Sequence, residues 1–205
     1  MKQPSVQALD LILEYEVGGS KDYYNKHLTH PTWPGGYSGM TLGIGIDCGY
    51  YTRDELANMF SFLNEQQLEV VKNATGKTGQ AGRDYVKSEA VKNANITITW
   101  DHAIRIFDDV TWPKYARLAE NAFPGLNQLC DNAYGALVSL VFNRGTSMNG
   151  DSRLEMRNIR TLVPKKDYKG IAEELRKMKR LWEGKGLDGL ITRREAEAKL
   201  VETCA

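Results

Sequence analysis

Three side chains near the start of the chain are of the types that cleave a glycosidic bond. Glu16 supplies a carboxyl group, and Thr41 and Asp47 supply a hydroxyl and a second carboxyl group further along. Two carboxyl groups in unlike surroundings can divide this work, because one donates a proton to the leaving oxygen while the other activates water. These residue types favour acid–base cleavage of a sugar chain.

The first helix must position Glu16. Ser5 has the side chain of a helix N-cap, and Gly18–Gly19 are typical of a helix end. Apolar residues at three- and four-residue spacing predict one buried face, with Glu16 as its next position: Val6, Leu9 and Leu13. At the rim of a core, Glu16 would serve as a general acid if it keeps its proton until substrate arrives. A glutamate that simply ends a helix explains the same pattern.

The segment that follows combines a loop with a strand. Lys21 to Tyr37 is rich in aromatic residues, glycine and proline, so neither a helix nor a continuous strand is predicted there, and Trp33 is a candidate platform for a sugar ring. From Thr41 to Asp47 the sequence alternates as in a strand. Thr41 and Asp47 then share one face, and the glycines between them leave it open to a ligand. A hairpin strand weakened by two glycines is the alternative.

Four patches resemble the phage-type lysozymes, the family that includes the bacteriocin pesticin. They are the helix ending in Glu16 before glycine, the Thr-Leu-Gly-Ile-Gly segment from Thr41, and the stretches Leu140 to Gly145 and Gly189 to Glu197. The resemblance implies that Glu16 is the general acid. It also implies that Thr41 helps to position the attacking water.

The second carboxylate departs from the usual family pattern. That pattern places an aspartate nine residues after the glutamate, where this chain has Asn25, or six before the threonine, where it has Gly35. The pesticin-like order places it six residues after the threonine, and Asp47 fits that order. Asp22 remains a competing candidate, since a longer loop could fold it back toward the site.

The two later patches suggest contacts with substrate. Asn143 ends the segment that closes a long apolar helix, and it could bind sugar or simply cap the helix before Gly145. Arg193 and Arg194 lie in a Gly-Leu-x-x-Arg-Arg-x-x-Glu segment and are candidate ligands for substrate carboxylates or acetamido oxygens. An ion pair with Glu197 is the alternative for these arginines.

The resemblance implies a mainly α-helical, lysozyme-like α+β fold in a single catalytic domain. A small lobe with a β-hairpin is expected at about 17–95, and a helical lobe at about 96–205 together with the N-terminal helix at 5–16, with a cleft between them. The apolar stretch from Leu126 to Asn143 predicts the central helix of the larger lobe, and Pro113 predicts a break or a kink in the helix before it.

The charge, the motifs and the cysteines of the chain indicate which kinds of partner and cofactor to expect. Net charge is +1, but from Arg153 to Arg194 there are 13 Lys and Arg against 6 Asp and Glu, an excess that suits an anionic polymer such as peptidoglycan. The dinucleotide-binding glycine fingerprint and zinc-like spacing are both missing, so no cofactor or metal is expected, and the nearly balanced net charge does not favour a nucleic acid partner. Three cysteines suggest no disulfide framework. Cys130 is expected in the core, and Cys48, beside Asp47, is the thiol whose modification would matter.

The expected function is hydrolysis of the β-1,4 bond between N-acetylmuramic acid and N-acetylglucosamine, with inversion and lysis of bacterial cells. The alternatives are a lytic transglycosylase that uses Glu16 alone and a non-catalytic wall-binding or toxin domain. The sequence shows no export signal or membrane-spanning segment. We therefore expect a monomer made in the cytoplasm that reaches the wall by lysis, pore release or injection. An injected toxin would need an immunity protein.

Overall fold

A computed structural model describes residues 2–18 and 20–205. Over these residues the chain forms twelve α-helices and one two-stranded antiparallel sheet. The predicted fold class, mainly α-helical with a small hairpin, is confirmed. The chain divides into two compact units. The helical unit contains the chain up to Tyr15 together with Thr111–Ala205, and the hairpin unit is Glu16–Val110.

Amphipathic helices build the helical unit. The first helix, α1 (Val6–Val17), belongs to this unit up to Tyr15, and the other helices of the unit are α8 (Trp112–Ala122), α9 (Asp131–Arg144), α10 (Leu154–Leu162), α11 (Tyr168–Lys177) and α12 (Asp188–Glu202). The predicted central helix is α9, in which every residue from 133 to 141 is buried. It begins later than predicted, because Leu126–Gln128 forms a separate 3-10 turn and Cys130 caps α9.

The N-terminal helix α1 begins as predicted but buries a different face. The Ser5 hydroxyl accepts a hydrogen bond from the Ala8 amide at 3.1 Å. Buried apolar residues on α1 are Ala8, Ile12, Leu13 and Val17, whereas Val6 is 73% exposed. A Cβ added to Gly135 of α9 would overlap the Cβ of Ala8. The close packing of α1 against α9 at these two residues therefore determines which face of α1 is buried. The predicted helix end is confirmed, because α1 ends at Val17 and Gly18 follows with a left-handed φ of 66°, while Gly19 lies outside the described residues.

Short capped helices surround the sheet of the hairpin unit. The strands are β1 (Thr41–Leu42) and β2 (Ile46–Asp47), and the helices are α2 (Lys21–His27), α3 (Arg53–Met59), α4 (Glu65–Lys72), α5 (Gly79–Val86), α6 (Glu89–Ala94) and α7 (Trp100–Ile106). Reciprocal capping boxes open α3 and α4. The prediction that residues 21–37 contain no helix is wrong at α2. Ser20 caps α2, and Tyr24 anchors it by burying its ring and donating its hydroxyl hydrogen bond to the Ile98 carbonyl at 3.0 Å.

Residues 96–110, expected in the helical lobe, pack within the hairpin unit. The Ile98 amide donates to the Thr29 carbonyl at 2.8 Å. The Trp100 ring meets the Tyr24 ring edge-on at 5.3 Å, and His102 stacks on Phe62 at 3.7 Å. These tertiary contacts, rather than the amphipathic pattern of α7, assign this segment to its unit.

The helix is not broken at Pro113. A π-helical turn at Phe107–Thr111 leads directly from α7 into α8, and Pro113 lies in the first turn of α8, so the irregularity predicted for this proline takes the form of a π-turn just before it. Among the described residues, no helix is both long and apolar enough to cross a membrane.

A disulfide joins Cys130 to Cys204, contrary to the expectation that the cysteines form no framework. Their Cα atoms are 6.1 Å apart, within the usual range for a disulfide. Cys130 is therefore not a core residue. It caps α9, its sulfur accepts from the Ala133 amide at 3.4 Å, and it is partly exposed. The bond ties the C-terminal end of the chain to the start of the central helix.

We predict that Cys204→Ser lowers the melting temperature under oxidising conditions and has little effect in a reductant. The disulfide closes a long loop, which should contribute about 3 kcal/mol by restricting the unfolded chain. Thermal unfolding of both proteins, with and without reductant, measures this. The bond is refuted if oxidised wild-type protein, unfolded in denaturant, reacts with a thiol reagent at all three cysteines.

Candidate active site

The hairpin places Thr41 directly opposite Asp47. These two residues are cross-strand partners, as are Leu42 and Ile46. The chain reverses through a turn in which Gly43 and Gly45 have φ of 58° and 72°, a left-handed geometry that glycine adopts without strain. The structure thus has two short strands rather than one continuous one, and the hydroxyl-bearing and carboxylate-bearing residues are brought together across the pair.

The Asp47 carboxylate is held by backbone amides. Gly39 N lies 3.0 Å from each of its oxygens, and Gly49 N lies 3.1 Å from Oδ1. Asp47 also caps the short 3-10 turn at Cys48–Tyr50. Asp47 is partly exposed as a residue, and a carboxylate has about four acceptor positions, so it retains capacity to bind a water molecule.

Three glycines make this arrangement sterically feasible. A Cβ at Gly39 would lie 2.7 Å from Asp47 Oδ1, and a Cβ at Gly49 would lie 2.7 Å from the Lys77 carbonyl. A Cβ at Gly82 of α5 would lie 2.8 Å from the Gly39 Cα. The segment that donates to Asp47 is therefore packed against α5 at backbone contact.

Thr41 is fixed on its other side by the preceding loop. Its amide donates to the Thr32 carbonyl at 2.8 Å, and the Thr32 amide donates to the Thr41 carbonyl at 3.0 Å. Its hydroxyl makes one long hydrogen bond, to the Gly39 carbonyl at 3.4 Å. Thr41 is partly exposed, so its hydroxyl can exchange this weak bond for one to water.

The two candidate carboxyl groups from the first part of the chain occupy different settings. Glu16 is the penultimate residue of α1, partly exposed and followed by the buried Val17. Asp22 is exposed in the first turn of α2 and makes no hydrogen bond or ion pair with any residue that the structure describes. Glu16, Asp22 and Asp47 all belong to the hairpin unit.

Aromatic side chains lie along the loop before β1. The Trp33 indole donates to the Ser38 carbonyl at 2.9 Å, and the Arg83 guanidinium lies 5.8 Å from its ring. Two further aromatic residues that no sequence motif marked, Tyr37 and Tyr50, are 86% and 66% exposed. The Tyr50 hydroxyl donates to the Tyr37 carbonyl at 2.9 Å. The sequence did contain one signal for Tyr50, because this residue follows Asp47 by only three positions.

Asn143 lies in the last turn of α9 and is partly exposed. Gly145 ends the helix with φ of 70°, and its amide donates to the Val141 carbonyl at 2.8 Å. Helix termination at this point is thus the work of Gly145. Contact between Asn143 and sugar stays a prediction.

Arg193 and Arg194 belong to a buried charge cluster in the helical unit. They are 3% and 0% exposed. Glu197, also buried, accepts from Arg194 Nη2 at 2.7 Å, from the Ser139 hydroxyl at 2.7 Å and from Arg193 Nε at 3.4 Å. Burial lowers the pKa of Arg194. The ion pair is thus the arrangement observed, and this burial gives no support to the predicted contact with substrate.

Arg193 has a second neighbour, since its guanidinium lies 5.5 Å from the ring of Tyr15, the residue before Glu16. Cys48, in contrast, is a buried thiol whose pKa is raised by burial and by Asp47, so it is not open to modification. No group of three or more His, Cys, Asp and Glu side chains within the described ranges is placed to hold a metal ion.

Comparison with known proteins identifies one family. The family model described as Phage lysozyme matches residues 63–197, more than half of the chain. The matched part contains Asn143, Arg193 and Arg194 and begins after Glu16, Thr41 and Asp47. No curated protein matches the chain.

We predict that Gly82→Ala destabilises the protein although alanine is the better helix former by about 1 kcal/mol. The added methyl group would push the segment at Gly39 away from Asp47. Gly189→Ala is the matched control, because no atom lies within 4 Å of a Cβ at that helical position. Thermal unfolding should show a lower melting temperature for Gly82→Ala alone, and equal melting temperatures in both variants would contradict the packing.

Proposed function

Because the chain belongs to the phage lysozyme family, whose members are peptidoglycan hydrolases, we propose that it is an N-acetylmuramidase. It hydrolyses the β-1,4 bond between N-acetylmuramic acid and N-acetylglucosamine. The observation that supports this chemistry is the Asp47 carboxylate, fixed by two backbone amides opposite Thr41. A carboxylate held in this way can orient water without losing its own position.

Glu16 is the general acid of this proposal. It protonates the glycosidic oxygen as the bond to the anomeric carbon breaks, so the leaving sugar departs as an alcohol. The partial exposure of Glu16 allows contact with a glycan, and the buried Val17 holds the end of α1 that carries it.

Asp47 is the general base. It accepts a proton from a water molecule that the Thr41 hydroxyl helps to place, and that water attacks the anomeric carbon from the face opposite the leaving group. The anomeric configuration is therefore inverted. Trp33 provides a face for a sugar ring, and Asn143 is the proposed contact on the helical unit.

Peptidoglycan lies outside the cytoplasmic membrane, so the enzyme must act in the periplasm or on the wall. We propose delivery by lysis, a pore or injection. The assays below also distinguish this function from two alternatives. A lytic transglycosylase would release anhydro-sugars, and a wall-binding domain would bind sacculi without releasing fragments.

We predict that Glu16→Gln reduces turnover of purified peptidoglycan by about 100-fold or more, because the amide cannot donate the acidic proton. Glu14→Gln is the matched control, since Glu14 is exposed on the same helix. Turbidity loss and mass analysis of the released muropeptides measure both. Retained turnover in Glu16→Gln, with the melting temperature unchanged, would remove Glu16 from the mechanism.

A second prediction separates the two candidate bases. Asp47→Asn should reduce turnover by about 100-fold or more, since the amide oxygen can still accept from Gly39 or Gly49 but cannot take a proton from water. Asp22→Asn should retain turnover within about twofold, because the exposed Asp22 makes no hydrogen bond or ion pair with a described residue. The reverse order of activities would transfer the base role to Asp22.

A further inference from the structure

The end of the central helix α9 holds an arginine in a fixed orientation. The guanidinium of Arg144 lies 4.8 Å from the ring of Trp182, which is 8% exposed. Its Nη2 donates to the Ser152 carbonyl at 2.7 Å. Stacking on an indole and a hydrogen bond in the guanidinium plane together restrict the side chain. Arg144 is therefore pre-oriented and remains partly exposed.

No acidic side chain in the described part of the chain forms an ion pair with this arginine. Glu155 pairs with Arg180, and Glu197 pairs with Arg194. The Nε of Arg144 is buried without a hydrogen-bond partner. Neighbouring Arg153 also pairs with no described carboxylate, and its Nη1 contacts the Met156 sulfur at 3.3 Å.

The local charge is unbalanced toward positive. Burial and the charges of Arg153 and Arg194 together lower the pKa of Arg144 to about 10, against the opposing effect of the Glu155 and Glu197 charges. A partly desolvated cation with like charges beside it gains stability from an anion. The helical unit therefore presents a cationic position that no described carboxylate pairs with directly, because the nearby Glu155 and Glu197 are engaged by Arg180 and Arg194.

We propose that Arg144, with Arg153, binds a carboxylate of the peptide stem of peptidoglycan. This inference rests on the proposed function and specifies which part of the substrate the helical unit recognises. The muramyl carboxyl group is consumed in the amide bond to the stem, so the free carboxylates of the polymer lie on its peptides. Asn143, which the family resemblance assigns to substrate, is the residue before Arg144 in α9.

Arginine suits this task better than lysine would. A planar guanidinium can bind both oxygens of a carboxylate, whereas an ammonium group acts as a point charge. Arg144→Met keeps an apolar contact with Trp182 and removes the charge, and Arg144→Lys keeps the charge and removes the planar group. Arg160→Met is the matched control, because Arg160 is exposed on α10 and loses the same charge.

The test is a binding titration of the full chain with the tripeptide L-alanyl-γ-D-glutamyl-diaminopimelate, monitored by NMR chemical shifts. The wild-type protein should bind this peptide and bind its carboxamide form at least about tenfold more weakly. Arg144→Met should weaken binding of the free peptide about tenfold, and Arg144→Lys should weaken it by less. Arg160→Met should bind as the wild type does.

Two results would overturn the inference. One is equal binding of the acid and amide peptides by the wild-type protein, including no binding of either. The other is unchanged affinity in Arg144→Met with its melting temperature retained. The result is independent of catalysis, because a protein that binds stem carboxylates but releases no glycan fragments would disprove the proposed hydrolysis and leave this site in place.

Discussion

The two-stranded sheet of the hairpin unit depends on the hydrogen bonds that the Asp47 carboxylate accepts from the backbone amides of Gly39 and Gly49. A short sheet of two residues per strand has little stability of its own. The carboxylate adds a cross-link between the loop before β1 and the turn after β2, and it does so beside Thr41. Structural support and the proposed catalytic role thus belong to the same side chain.

This arrangement explains why glycine recurs around the site. Asp47 can accept a hydrogen bond from the Gly39 amide only if the backbone at Gly39 lies close to the carboxylate. The backbone at Gly39 is also packed closely against Gly82, which belongs to helix α5. The sequence pattern predicted an open face between Thr41 and Asp47 from the glycines of the turn. The glycines that bring the backbone to Asp47 lie elsewhere, at positions that only tertiary packing identifies.

Local signals predicted the features that depend on local physics. The cap at Ser5 and an irregular helix at Pro113 were both readable from short motifs. Helix α2 was missed because the buried Tyr24, not periodicity, stabilises it. The Cys130–Cys204 bond was missed because its partners are 74 residues apart in sequence.

The arginines illustrate the same limit for function. Arg193 and Arg194 have the residue type of a ligand, yet both are buried with Glu197. Arg144 lies in the Leu140 to Gly145 patch, but its residue type alone does not distinguish it there, and its lack of an ion pair with a described carboxylate is visible only in three dimensions. Residue type predicts what a side chain can bind, and the fold determines whether anything can reach it.

The proposed mechanism requires hydrolysis by a water molecule that Asp47 holds on the face of the sugar opposite the leaving group. The most direct measurement is time-resolved proton NMR of the new reducing ends as purified peptidoglycan fragments are cleaved. An inverting mechanism predicts that the new reducing ends appear first as the α-anomer and then mutarotate. First appearance of the β-anomer, or of an anhydro-sugar with no reducing end, would contradict it.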